Sequence, residues 1–266
     1  MVTTIIQARM SSTRFPGKVL REILGKPMLW HLLNRVKKSG LIKKIVVATS
    51  TKEIDQPILG IARDCGVESF AGSEEDVLDR YYQAAKKFFA DPIVRITADC
   101  PLIDPQVSDK VIEYYLRNNG DIDYACNVAP PTYPDGLDTE VFSFAALEKA
   151  WKEAKKQTER EYVTSYIWKN KQIFRQLNVA CAADLSHMRW TVDEEKDFLF
   201  VTEIYKGLGK SGDSVFYMED ILDFLKTRPE IAAINQGIGR NEGYIKSLRK
   251  EGVDIEKEFL PWKRNA

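Results

Sequence analysis

Short runs rich in β-branched residues recur through the first hundred residues, and each is followed by a segment with helical apolar spacing. Residues 3–7, residues 44–49 with the run Ile45-Val46-Val47-Ala48, and residues 93–97 read as strands. Residues 27–38, 54–65, 73–89 and 105–117 read as helices. Leu29, Leu32, Leu33 and Val36 give the first helix one apolar face, with Pro27 at its start and Gly40 just past its end. Gly66 stops the second helix. Ser73 reads as the N-cap of the third, with Asp76 three residues on. A strand as uniformly apolar as 44–49 is covered on both faces. The βαβα order therefore predicts an α/β fold with a mostly parallel central sheet and helices on both sides.

The second half is less regular. Pro130, Pro131, Pro134 and Gly136 mark a long loop before a strand at 139–142. Helices are expected at 144–156, 159–168 and 194–206, and strands at 174–179 and 189–192. After Gly207 the chain is charged, with helices at 218–226 and 242–249 between glycine-rich breaks. This reads as one α/β domain over residues 1–206, followed by a helical extension over 207–266.

Charge and cysteine use narrow the function. Lysine plus arginine number 39, as do aspartate plus glutamate, so the net formal charge is zero. That argues against a nucleic-acid coat or a membrane-surface protein, while leaving room for a local basic pocket. The four cysteines, Cys65, Cys100, Cys126 and Cys181, form no C-x-x-C pair. With no basic apolar leader they read as reduced thiols of a cytoplasmic protein. No apolar run reaches the length of a membrane span. Only two histidines, His31 and His187, are present. Any metal is therefore expected to be a hard cation on carboxylates.

The densest chemical signal is residues 7–18, Q-A-R-M-S-S-T-R-F-P-G-K, directly after the first strand. Three cations (Arg9, Arg14, Lys18) lie in a dozen residues where open α/β sheets bind ligands. One such cation alone reads as a solvated turn. Three together favour a polyphosphate, through guanidinium forks and loop amides. Two other phosphate motifs fail. Gly209-Lys210-Ser211 lacks the earlier glycine of a P-loop, where Ile204 stands, and Gly237-Ile238-Gly239 has Glu242 where a dinucleotide fingerprint needs a third glycine.

Two strands end in acids: Arg95-Ile96-Thr97-Ala98-Asp99-Cys100-Pro101, and Arg189-Trp190-Thr191-Val192-Asp193, followed by Glu194-Glu195. Each acid alone is equally explained as a cap or turn residue. Together with the cationic loop they form the parts of nucleotide phosphoryl chemistry, cations for phosphates and carboxylates for Mg²⁺. Asp121-Ile122-Asp123 fits the Asp-x-Asp string of metal-dependent glycosyltransferases, but it precedes a strand-like run and reads as a solvated turn.

Ala8-Arg9, Ser12-Thr13-Arg14 and Pro16-Gly17-Lys18 resemble the N-terminal signature of sugar-acid cytidylyltransferases, the 3-deoxy-manno-octulosonate and, more loosely, the acylneuraminate enzymes. The chain to about residue 206 looks most like their SpsF-like spore-coat polysaccharide branch. That closer likeness rests on residues 72–82 (G-S-E-E-D-V-L-D-R-Y-Y), 95–104, 133–138 (Y-P-D-G-L-D), 185–187 and 189–193. The resemblance implies a three-layer, Rossmann-like nucleotide-diphospho-sugar transferase fold. It also implies a homodimer, with residues 125–185 serving the acceptor pocket or the dimer contact. It implies CMP transfer from CTP to a sugar acid or related polysaccharide precursor, with Mg²⁺ as cofactor. Arg9, Arg14 and Lys18 would meet the triphosphate, with Ala8, Ser73, Arg80 and Thr97 in the nucleotide site. Asp99 and Asp193 would hold the metal, and Arg14, Lys18, Asp99 and Asp193 would carry catalysis. The octulosonate enzymes have Gly-Asp-Glu-Pro where this chain has Ala98-Asp99-Cys100-Pro101. The acceptor pocket is expected at 127–140 and 160–166, with Asp138, Glu140, Arg160 and Arg189 as candidate contacts. The alternative is a glycosyltransferase of the same general fold using a nucleotide sugar.

Overall fold

The computed structural model of the protein describes residues 1–209, 215–256, 258 and 260; Lys210 and Ser211 of the failed P-loop string lie outside them. The chain opens with β1 Thr3–Gln7, the small hairpin β2 Glu22–Ile23 and β3 Lys26–Pro27, and α1 Met28–Val36. There follow β4 Lys44–Ser50, α2 Gln56–Asp64, β5 Glu68–Gly72, α3 Val77–Phe88, β6 Ile93–Thr97 and α4 Pro105–Arg117. The second half adds β7 Tyr124–Cys126, β8 Glu140–Phe142, α5 Phe144–Glu153, α6 Gln157–Glu161, α7 Ser165–Lys169 and β9 Gln176–Asn178. Beyond them lie α8 Glu195–Leu208, α9 Met218–Thr227, α10 Pro229–Ala232 and α11 Glu242–Lys250.

Seven strands form one sheet in the order β5-β4-β1-β6-β8-β7-β9. Neighbours pair in parallel, except that β8 runs against both β6 and β7. Alternation along the strands supplies two cores. Ile6, Val47, Val94 and Ile96 pack with Leu29, Leu32, Val111 and Phe200, while Ile5, Val46, Ala48 and Ile93 pack with Leu78, Tyr81, Ala85 and Leu147. Helices thus cover both faces, the three-layer α/β arrangement expected from the βαβα order. The C-terminal helices join these layers: Ile221 and Leu225 of α9 enter the first core, and Tyr244 and Leu248 of α11 the second.

The structure departs from the sequence reading in several places, four of which bear on the site. β5 carries no apolar run; it is an edge strand recruited by backbone pairing with β4. α3 begins at Val77, and Asp76, not Ser73, caps it by accepting Asp79 N–H at 2.8 Å; the Ser73 hydroxyl accepts Asp76 N–H instead. The expected helix 159–168 breaks into α6 and α7 around Val163, whose φ is 43°. Residues 189–192 form no strand but an extended loop with a single bridge, Asp135 to Arg189.

Two fastenings set the geometry of the loops beyond the sheet. Buried Arg35 of α1 has no carboxylate partner among the described residues; it donates to the carbonyls of Ile103 and Phe216 at 2.7 Å and lies 4.5 Å over the Phe216 ring. Asp104 caps α4 through Gln106 and Val107 N–H and also accepts Met218 N–H at 2.6 Å. The loop after β6 is thereby tied to the start of α9. The second fastening clasps loop 133–138 onto loop 188–193: Asp135 N–H bonds Met188 O, Trp190 N–H bonds Asp135 O, and Val192 N–H bonds Asp99 O at 2.8 Å. Gly136 lies at the closest approach, with φ +113° and room for no side chain; a Cβ there would stand 2.6 Å from Thr191 N.

Asp104→Ala is expected to lower the unfolding free energy by about 1–3 kcal/mol, through loss of a cap and of a buried acceptor. A lower urea midpoint at unchanged m-value checks this. Gly136→Ala is expected to cost roughly 2 kcal/mol or more, because strained φ and backbone collision act together. A thermal melt equal to wild type would show that the 188–193 loop yields without cost.

Candidate functional site

The strand order reverses at β1, with β4 on one side and β6 on the other. Ligands of open α/β sheets bind beyond the carboxyl ends of the strands at such a reversal. Gln7 of β1 lies opposite Thr97 of β6, so loops 8–18 and 98–104 leave the sheet side by side. Loop 8–18 is held by Met10 N–H on the buried Asp55 carboxylate at 2.7 Å and by Gly17 N–H on Met10 O. Phe15 is buried against Phe198 of α8, ring centroids 5.7 Å apart. Gly17, at φ 71°, then turns the chain so that Lys18 points inward rather than to solvent.

Lys18 is the centre of the site. Its Nζ donates to Asp99 Oδ2 at 3.1 Å, to Asp193 Oδ1 at 2.9 Å and to the Val192 carbonyl at 2.6 Å. Burial alone would push this ammonium down, but the two carboxylates outweigh it and its pKa is raised. Burial likewise works against an ionised Asp193. Lys18, Arg14 and Arg189 overcome that, and its pKa falls to about 2. Thr97 Oγ1 donates to Asp99 Oδ1 at 2.5 Å, which leaves Asp99 oriented from both sides. Cys100 beside it is buried, and burial with the Asp99 charge pushes its thiol well up, so it is no nucleophile at neutral pH.

The remaining nucleotide-side residues surround this pair. Arg14 Nη2 meets Asp193 Oδ2 at 2.8 Å, and its Nη1 lies 3.6 Å from both Glu194 and Glu242. Arg9 is half-buried, 3.9 Å from Glu161, at the rim of a 260 Å³ depression lined also by Lys52, Glu74 and Gln157. Arg80 on α3 is 1% exposed, donates only to Ser73 O among the described residues and pairs with no carboxylate there. Burial lowers its pKa. Its Nε is buried without a hydrogen-bond partner among the described residues. Ala8 is buried, its N–H on Ala48 O at 3.1 Å.

On the other side of Asp99 three of the expected contacts are engaged by partners within the chain. Glu140 is consumed: Tyr124 O–H and Thr164 O–H donate to one oxygen, and Arg95 pairs with the other. Arg160 grips Asp76 with its Nε and Nη2 and bonds Trp151 O, so it anchors the α3 cap rather than facing a ligand. Arg189 is buried among Asp135, Asp193 and Asp197, at 2.9–3.0 Å. It is the post on which Asp193 is mounted. Asp197, fully buried, completes this by accepting Asp193 and Glu194 N–H. Asp138 is half-buried and meets Arg240 at 2.5 Å. Asp135, Asp197, Arg240 and Glu242 were not singled out from the sequence as site residues, since no motif or spacing links Arg240 to a loop a hundred residues earlier.

No group of three or more His, Cys, Asp or Glu side chains suited to a metal occurs among the described residues. The residues present nevertheless fit Mg²⁺, which takes one or two carboxylates and completes its shell with water and substrate phosphates. Asp99 and Asp193 converge on one point, presently marked by the Lys18 ammonium. Asp121-Ile122-Asp123 is at the opposite, amino end of β7, where Asp123 is paired with Arg175. It is remote from this edge, and the glycosyltransferase alternative loses its metal motif.

A cytidylyltransferase family profile matches residues 3–210. The uncharacterized protein MJ1063 of Methanocaldococcus jannaschii is 40% identical over 242 residues, covering 90% of this chain and 96% of that protein. The spore coat polysaccharide biosynthesis protein SpsF of Bacillus subtilis is 31% identical over 235 residues, 86% of this chain and 95% of its own. A cytidylyltransferase structure from Leptospira borgpetersenii superposes with a TM-score of 0.84 at 33% identity, covering 90% of this chain and 99% of that one. No helix among the described residues is long and apolar enough to cross a membrane. The chain belongs to the cytidylyltransferase family of nucleotidyltransferases.

Proposed function

We propose that the protein transfers CMP from CTP to an anionic acceptor and releases pyrophosphate. The observation that carries this reading is Lys18 buried between Asp99 and Asp193 at the strand-order reversal, with Arg14 beside it. An acceptor hydroxyl oxygen attacks the α-phosphorus and gives up its proton to solvent, the bond to the β-phosphate bridging oxygen breaks, and pyrophosphate departs with that electron pair. Such a transfer is governed by positioning and charge neutralisation. Lys18 and Arg14 neutralise the departing pyrophosphate, because they are cations fixed in advance at the loop that follows β1. Arg80 and Ser73 hold the nucleoside end, where the buried guanidinium forms no ion pair among the described residues. Asp99 and Asp193 would hold Mg²⁺, which when bound supplies further neutralisation at phosphate oxygens. Arg189 pairs with Asp193 and Asp197 accepts its backbone N–H, which together aim that acid; the Thr97 hydroxyl orients Asp99.

Family membership favours nucleotidyl over glycosyl transfer, and the nucleotide and acceptor are read by a direct assay. Pyrophosphate release is measured with CTP, ATP, GTP and UTP against a panel of sugar acids, including 3-deoxy-manno-octulosonate. CTP-dependent release with an acidic sugar is expected. Transfer from a nucleotide sugar without pyrophosphate would overturn the reading.

Asp99→Asn is expected to keep the fold and lose at least ~10-fold in divalent-cation-dependent turnover, as ligand loss exceeds the smaller outer-shell effects. Activity like wild type would remove Asp99 from the metal site. Lys18→Ala and Arg14→Ala are expected to weaken CTP binding far more than CMP binding, since they read the outer phosphates. Calorimetric titration with both nucleotides decides it: equal losses would place these cations elsewhere.

A further inference from the structure

Arg240 lies beyond the residues matched by the family profile, yet its side chain is only 11% exposed and reaches into loop 133–138. Nη2 donates to Asp138 Oδ1 at 2.5 Å, Nη1 makes a long 3.4 Å bond to Tyr133 O, and Nε stands 3.8 Å from Asp135 Oδ1. That Nε is buried and has no hydrogen-bond partner among the described residues. The Cys100 thiol, next in sequence to Asp99, is within its electrostatic reach. The segment around it crosses the site: Gly239 O touches Arg189 at 3.4 Å, and Glu242 faces Arg14.

Two other cations singled out on this side are saturated. Arg189 and Arg160 each spend their forks on carboxylates and carbonyls of the chain. Arg240 makes one strong bond, to Asp138, while Nη1 holds Tyr133 O only at 3.4 Å and Nε stands 3.8 Å from Asp135 without a hydrogen bond. A guanidinium in that state suits a planar or tetrahedral anion, which accepts two parallel N–H bonds. It also stands where acids crowd. Burial and the neighbouring carboxylates push Asp135 up to about 7 and raise Asp138 as well, so an anion would be repelled here without a cation to receive it.

We infer that Arg240 binds the anionic group of the acceptor, so that the C-terminal segment completes the acceptor pocket and sets the acceptor class as carboxylate or phosphate. This rests on the nucleotidyl-transfer reading above and deepens it. Its failure is separable from failure of that reading.

The experiment measures pyrophosphate release by the full-length protein with CTP and three acceptors: 3-deoxy-manno-octulosonate, mannose 1-phosphate and mannose. Arg240→Ala and the milder Arg240→Lys are compared with wild type, alongside calorimetric CTP affinity. Loss of a charge-assisted fork is expected to raise KM for the anionic acceptor about 10- to 100-fold in the alanine variant. The lysine variant is expected to fall between, with CTP affinity kept within about 2-fold, under one hydrogen bond's worth. Which anionic acceptor responds tells carboxylate from phosphate. Should the alanine variant not fold, the lysine variant carries the test. Unchanged KM in a folded variant, or KM and CTP affinity lost in parallel, overturns the inference and leaves Arg240 as a clamp on its own segment. Efficient transfer to mannose that ignores both substitutions overturns it too. Wild-type protein that releases no pyrophosphate from CTP with any of the three overturns the transfer reading, and this inference with it.

Discussion

A single ammonium group, Lys18 Nζ, joins three parts of the chain that are far apart in sequence. It bonds the loop after β1 to Asp99 after β6 and to the 192–193 backbone and side chain before α8. Removing a charge from water is costly, and only carboxylates close at hand make it tolerable. The two acids are therefore as much a condition for burying Lys18 as Lys18 is for bringing them together. The rest of the site is arranged around this mutual requirement. Thr97 steadies one acid, and Arg189, itself held by Asp135 and Asp197, steadies the other.

The sheet supplies the rigid frame for that arrangement. β1 and β6 pair in parallel and in register, so their following loops begin at the same level and diverge from a common edge. The clasp between loops 133–138 and 188–193, possible only because Gly136 has no side chain, brings the third loop to the same edge. Burial of Phe15 against α8 prevents the cationic loop from moving as a free turn. Charge at this edge is concentrated, and Lys18, Arg14 and Arg189 are each shared among several carboxylates.

Much of this was legible in the amino-acid order. Ile45-Val46-Val47-Ala48 can only be a strand buried on both sides, and the cationic string at 9–18 follows a strand, so its location at the ligand edge is a consequence of topology. Asp99 was readable for the same reason. Asp193 was found by a partly mistaken route, since the residues before it are an extended loop and not a strand; the acid nevertheless ends at the expected edge. Arg160 and Arg189 were legible only as cations near the pocket. Which carboxylates would claim them was not, because Asp76 lies 84 residues from Arg160 and Asp135 lies 54 residues from Arg189.

The sequence by itself determined what depends on neighbours along the chain: the periodicities that make a parallel sheet with helices on both faces, and the position of strand-end loops relative to their strands. Local sterics and the burial of apolar faces set these, and both act over a few residues. Only the tertiary structure decided which charges are fully paired inside the protein and which keep a donor without a partner among the described residues. Arg189 is consumed while Arg80 and Arg240 keep donors idle, and nothing in their residue type distinguishes them. Pairing of a charge depends on the few ångströms between side chains delivered by separate elements, and on the exclusion of water at that point. Those distances come into existence only when the layers pack.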